Sequence, residues 1–191
     1  MNRCAWPAAD PLMIQYHDTE WGVPLHDDRK LFEFLVLDAF QAGLSWRTIL
    51  YKREHFRKAF DAFDPERIAR YNTRKIQQLV HNADIIRNRM KIEATVENAR
   101  RFLEIRSRYG SFDRFIWQFT DYRTMHHHLQ PGQPAPATSP ESDAMSKALR
   151  AAGFKFVGST ICYAFMQAAG MINDHVVTCF RYSALKENTS V

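Results

Sequence analysis

Leu31-Phe32-Glu33-Phe34-Leu35-Val36-Leu37-Asp38-Ala39-Phe40-Gln41-Ala42-Gly43-Leu44-Ser45-Trp46 is the stretch that decides how this chain reads. From about Arg29 to Ala42 the residues are apolar on nearly every side. A helix of that kind sits in the middle of a core, with other helices around it. Asp27 or Asp28 can cap its start, and Gly43 stops it. Ser45 then caps a second helix, from about Trp46 to Phe60. Asp38 lies inside the apolar run, where a carboxylate is costly unless paired. It is either a satisfied core acid or an acid that faces a ligand.

The same punctuation recurs outward from this stretch. Asp10-Pro11, Asp64-Pro65 and Ser139-Pro140 each place a capping side chain before a proline at the first helical position. Thr73 starts a helix ending near Asn82, and a long amphipathic helix runs from about Arg87 to Arg108. Gly110-Ser111 ends that helix and opens another. Gln130 to Ser139, with Pro131, Gly132, Pro134 and Pro136, reads as a surface loop. Helices follow at about 141–152 and 158–169, the second ended by Gly170. No strand alternation extends beyond a few residues. The expected fold is all-α, one domain over 1–191, as a compact unit or two helical lobes.

Composition narrows the function classes. Only 7 glycines in 191 residues oppose a turn-rich β fold, and ordinary apolar and charged fractions exclude disorder. No apolar window is long enough to span a membrane. Met1 to Pro7 lacks the apolar run of a secretory leader, so a cytoplasmic location is expected. Three cysteines do not make a disulfide framework. A net charge of +5 permits a polyanionic partner without demanding one.

Several constellations could carry chemistry. Cys4, His17, His175 and Cys179 offer two thiolates and two imidazoles, a set that suits structural zinc. On a helix, His175 and Cys179 would share a face. The spacing also fits two buried thiols and two solvated histidines. His126-His127-His128 cannot turn three consecutive rings toward one ion in regular structure, and Cys162 reads as core. Gln41 to Trp46 breaks sharply between two helices. It is a tight corner, or an apolar wedge that enters a base stack. Leu79 to Ile92 reads as helix, tight turn, helix, with Arg87, Arg89 and Lys91 opening the second helix. Free N–H groups and basic side chains there suit a phosphate, or form an ordinary solvated basic face.

Taken in order along the chain, the segments are similar to the 3-methyladenine DNA glycosylases of type I, constitutive bacterial enzymes of the helix-hairpin-helix superfamily. The resemblance rests on Arg3-Cys4-Ala5-Trp6, Tyr16-His17-Asp18, Glu20 to Pro24, Gln41 to Trp46, Lys52-Arg53-Glu54, Ala83 to Arg87, Ser142 to Leu149, and Gly153 to Tyr163 with Asn173-Asp174-His175. It implies one structural zinc on Cys4, His17, His175 and Cys179. It implies a base pocket in which Asp38 and Tyr16 bond the base and Trp46 stacks on it, with Trp6, Met13 and Trp21 as further walls. It implies a wedge region of Gln41, Gly43 and Leu44, and a turn from Ala83 to Arg87 that holds one phosphate. The implied activity is monofunctional hydrolysis of alkylated adenine from double-stranded DNA by a monomeric enzyme. Four positions depart from the family's usual residues. Asp38 stands where Glu is typical, Met13 where a tyrosine is, and Asp84 and Met90 where glycine is common. A paralogous enzyme for another modified base, or a damaged-DNA-binding module without catalysis, fits the same motifs.

Overall fold

The structure is a computed structural model and describes residues 1–187. Ten helices are described: α1 (Pro11–Thr19), α2 (Asp28–Gln41), α3 (Trp46–Ala59), α4 (Pro65–Ile68), α5 (Thr73–His81), α6 (Arg89–Tyr109), α7 (Phe112–Trp117), α8 (Pro140–Ala151), α9 (Ser159–Ala168) and α10 (Phe180–Glu187). Side-chain caps start most of them. Asp10 accepts from the Leu12 and Met13 amides, Asp27 from Lys30 and Ser45 from Thr48. Ser139 and Ser142 cap each other reciprocally at α8.

Helix α2 is the axis of the molecule. All ten residues from Leu31 to Phe40 are buried, and α3, α6, α7 and α9 surround it. Burial on every side explains why the run carries no amphipathic stripe. Two acids are buried with it. Glu33 accepts from Arg53 Nε at 2.6 Å and from Arg57 Nη2 at 2.7 Å. Arg53 also donates to Glu20 at 2.6 Å and lies over the Phe34 ring. That network compensates the Glu33 charge. Asp38, five residues further along the helix, has no ion pair among the described residues.

The all-α expectation needs one correction. Two short strands, β1 (Met125–His126) and β2 (Ile172–Asn173), pair in parallel, Met125 with Ile172 and His126 with Asn173. The pairing ties the start of the 127–139 loop to the segment leaving α9. The Thr124 hydroxyl donates to the Gly170 carbonyl at 2.7 Å beside it. Gly170 (φ +69°) is pressed onto another backbone, since a Cβ there would lie 2.2 Å from the Val23 carbonyl carbon. Only glycine allows that approach. The segment after α9 is thereby fixed against the N-terminal turn, and Asp174 and His175 are aimed inward.

Candidate active site and metal cluster

Cys4, His17, His175 and Cys179 meet in the interior. All four are buried, and their donor atoms lie within 4.8 Å of one another. His17 Nε2 is 3.2 Å from His175 Nδ1 and 3.5 Å from Cys179 Sγ. His175 Nδ1 is 3.6 Å from Cys4 Sγ and 3.5 Å from Cys179 Sγ. Ordinary Zn–N and Zn–S bonds at tetrahedral angles put N and N about 3.3 Å apart and S and N about 3.5 Å apart. The donor set therefore fits one tetrahedral ion. The outer nitrogens fit as well: His17 Nδ1 faces Asp18 at 2.7 Å, and His175 Nε2 faces the Trp21 carbonyl at 3.0 Å. Those partners leave the inner nitrogens free as lone-pair donors. The Cys4 thiol is pushed up by its hydrogen bond to Cys179 and by burial. Cys179 is pulled down by the same bond and by both histidines. One expectation changes: His175 and Cys179 are not on a helix. They flank a turn that precedes α10 and brings both donors to one side.

A cleft of ≈ 500 Å³ lies against this cluster, and Cys4 belongs to its wall. Trp6, Tyr16, Trp21, Asp38, Gln41 and Trp46 all line it. Tyr16 and Trp46 face each other with centroids 5.1 Å apart, and Trp6 meets Trp21 at 5.1 Å. Trp21 in turn packs on His175 at 4.6 Å, so the aromatic wall and the cluster are continuous. Met13 does not line the cleft. It lies one turn before Tyr16 on α1, and its side chain is buried in the core.

Two polar atoms of the lining are buried without a partner: Asp38 Oδ2 and Trp46 Nε1. Burial pushes the Asp38 carboxyl well above the ordinary carboxylate range, and Arg53 pulls it back only in part. The Tyr16 hydroxyl is pushed up by burial and by Asp38. An apolar, aromatic cleft whose wall carries one acid with an unpartnered oxygen can take a flat, electron-poor or cationic ring.

The remaining expected residues lie at the surface nearby. Gly43 (φ +80°) makes the turn out of α2, and Leu44 beyond it is 43% exposed. Between α5 and α6 the chain turns tightly at Asn82 to Asn88. Asn82 Oδ1 accepts from the Asp84 amide at 2.9 Å, and Lys52 on α3 donates to the carbonyls of Ala83 and Asp84. Ile85 plugs the turn into the core, while Ala83 and Arg87 are exposed.

A family model described as methyladenine glycosylase matches residues 6–182. The chain belongs to the methyladenine glycosylase family. It is 47% identical to DNA-3-methyladenine glycosylase 1 of Escherichia coli over 186 residues, covering 97% of this chain and all of that one. A crystal structure of a 3-methyladenine DNA glycosylase I superposes with TM-score 0.91 at 49% identity, covering 94% of this chain and 98% of that one. A second superposes with TM-score 0.92 at 35% identity, over 95% of this chain and 98% of its own. It is a tyrosine-to-phenylalanine variant in complex with 3-methyladenine.

For a methyladenine glycosylase, sequence reasoning missed part of the cleft. Leu129, Gly132, Gln133, Pro134 and Ala135 line it, so the proline-rich loop is one of its walls. Gln167 and Asp174 line it too. Asp174 accepts from the Tyr163 hydroxyl and Gln167 Nε2, each at 2.7 Å, and faces His127 Nδ1 at 2.6 Å. Asp174 is also what pushes the His127 imidazole up. That gives one member of the histidine run a place in the structure. The sequence signal for it is the Asn173-Asp174-His175 motif, which sets an acid directly beside His175.

Proposed function

We propose that the cleft binds an adenine alkylated at N3, extruded from double-stranded DNA, and that the chain hydrolyses its N-glycosidic bond. The observation that carries this is the buried, unpartnered carboxyl of Asp38 among aromatic rings. Family membership and the relative solved with 3-methyladenine support the substrate. An N3-alkylated adenine is cationic while attached to the sugar. Trp46 and Tyr16 attract its ring more strongly than a neutral base. The cation also supplies the counter-charge that Asp38 lacks, which favours the ionised carboxylate. Binding thus holds Asp38 as an acceptor beside the base edge.

The positive ring is already a good leaving group. As the C1′–N bond breaks, its electron pair neutralises the ring. Water then bonds C1′ and loses a proton to solvent, leaving free 3-methyladenine and an abasic site. The protein's contribution is capture of the extruded base and electrostatic complement at Asp38. No amine nucleophile is needed, so the reaction is monofunctional. Leu44 and Gln41 at the Gly43 turn fill the space the base leaves, and the turn from Ala83 to Arg87 grips one phosphate.

Cys4, His17, His175 and Cys179 would hold one Zn²⁺, which supplies folding free energy by joining the N-terminal segment to the turn before α10. Through the Trp21 carbonyl and Trp6 this clamp also sets the outer aromatic wall.

The direct test is incubation with alkylated duplex DNA and chromatography of the released bases. Free 3-methyladenine is expected, with release falling at least about 100-fold in Asp38→Ala, the scale for removing one preorganised electrostatic stabiliser. A folded protein that binds the duplex and releases no base contradicts the reading.

A further inference from the structure

Lys91 is the third residue of α6, directly after the tight turn, and is 7% exposed. Its placement is unfavourable on three counts. A buried ammonium loses hydration. The first turn of a helix carries the positive end of the helix dipole. No carboxylate pairs with it among the described residues, and burial pulls its pKa down. What faces it instead is the end of α2. Lys91 Nζ donates to the Phe40 carbonyl at 2.9 Å and to the Ala42 carbonyl at 2.7 Å. Those are carbonyls at the negative end of the α2 dipole. Ala42 has left helical geometry (φ −48°, ψ 116°), so Lys91 holds the point where α2 turns into Gly43 and Leu44.

We infer that Lys91 is a positioning residue for base extrusion, fixing the Gln41–Leu44 segment relative to the α5–α6 turn. The two segments must act on one stretch of duplex at a set separation: one grips a phosphate while the other enters the stack. Lys52 braces the turn from α3 by the same device, donating to Ala83 and Asp84 carbonyls. Trp46 is held separately by α3 and its Ser45 cap, so base stacking does not depend on Lys91. This inference rests on the wedge reading of Gln41 and Leu44.

The test compares single-turnover release of 3-methyladenine from two duplexes of one sequence. In one the lesion lies opposite thymine, and in the other opposite an abasic site. Extrusion costs a few kcal/mol from a paired stack and less from an unpaired one. Lys91→Met is expected to release base about 10-fold more slowly from the paired duplex and within about 3-fold of the original rate from the unpaired one. Lys91→Arg keeps charge and donors and should remain within about 3-fold on both. Equal losses on the two duplexes, or no loss on either, overturn the inference. If Lys91→Met shows no melting transition, Lys91→Gln, which keeps one donor, takes its place in the same comparison. Failure of the original protein to release base from either duplex overturns the wedge and glycosylase readings, and this one with them.

Discussion

In the cluster of Cys4, His17, His175 and Cys179, each outer ring nitrogen already has a partner and the inner donors converge on one point. In the adjoining cleft, Asp38 Oδ2 and Trp46 Nε1 are buried with no partner at all. The two regions share Trp21 and Cys4, so the contrast is not one of location. A group held permanently can have its surroundings completed at folding. A ligand that must enter and leave requires polar atoms left unsatisfied until it arrives, and the fold bears that cost.

The largest expected effect tests the completed region. Cys179→Ser should lose stoichiometric zinc and lower Tm by about 10 °C or more, since structural zinc contributes several kcal/mol. A metal-free variant with unchanged melting would remove the clamp. In the unsatisfied region, Trp46→Leu should slow release of 3-methyladenine about 30-fold, the scale of a desolvated cation–ring contact near 2 kcal/mol. Its melting should barely change, because Trp46 is only half-buried. Leu44→Ala is expected to cost less, about 10-fold on paired duplex, with the loss shrinking when the lesion is unpaired. Smallest is Arg87→Ala: duplex affinity should fall by about 1 kcal/mol, and the salt dependence of binding should flatten by about one ion.

Local signals carried most of the fold. Asp27, Gly43 and Ser45 mark the ends of α2 and the start of α3 within a residue or two, because caps act on their own backbone. β1 and β2 escaped because each is two residues long and its partner is remote, Met125 with Ile172. The donor set of the cluster was legible as residue types. Its geometry was not, since a turn rather than a helix brings His175 and Cys179 together. Asp38 was conspicuous as an acid in an apolar run, yet Glu33 in the same run is equally conspicuous. Only tertiary contacts separate them: Arg53 and Arg57 form ion pairs with Glu33, and Asp38 has none among the described residues. Met13 points the other way. The family resemblance implied a pocket wall there, and helix packing turned its side chain into the core.

The most direct measurement is one variant with two readouts. The folded-state pKa of Asp38 is raised above its unfolded value. Its penalty is therefore absent at pH below about 4, the ordinary carboxylate value, and grows as pH rises toward the folded-state pKa. Asparagine carries no such penalty. Asp38→Asn should melt like the original protein near pH 4 and a few degrees higher at pH 7, and should release less than about 1% as much 3-methyladenine. A variant that melts lower at pH 7, or releases base at the original rate, would contradict a cleft whose acid stays unpaired until the cationic base arrives.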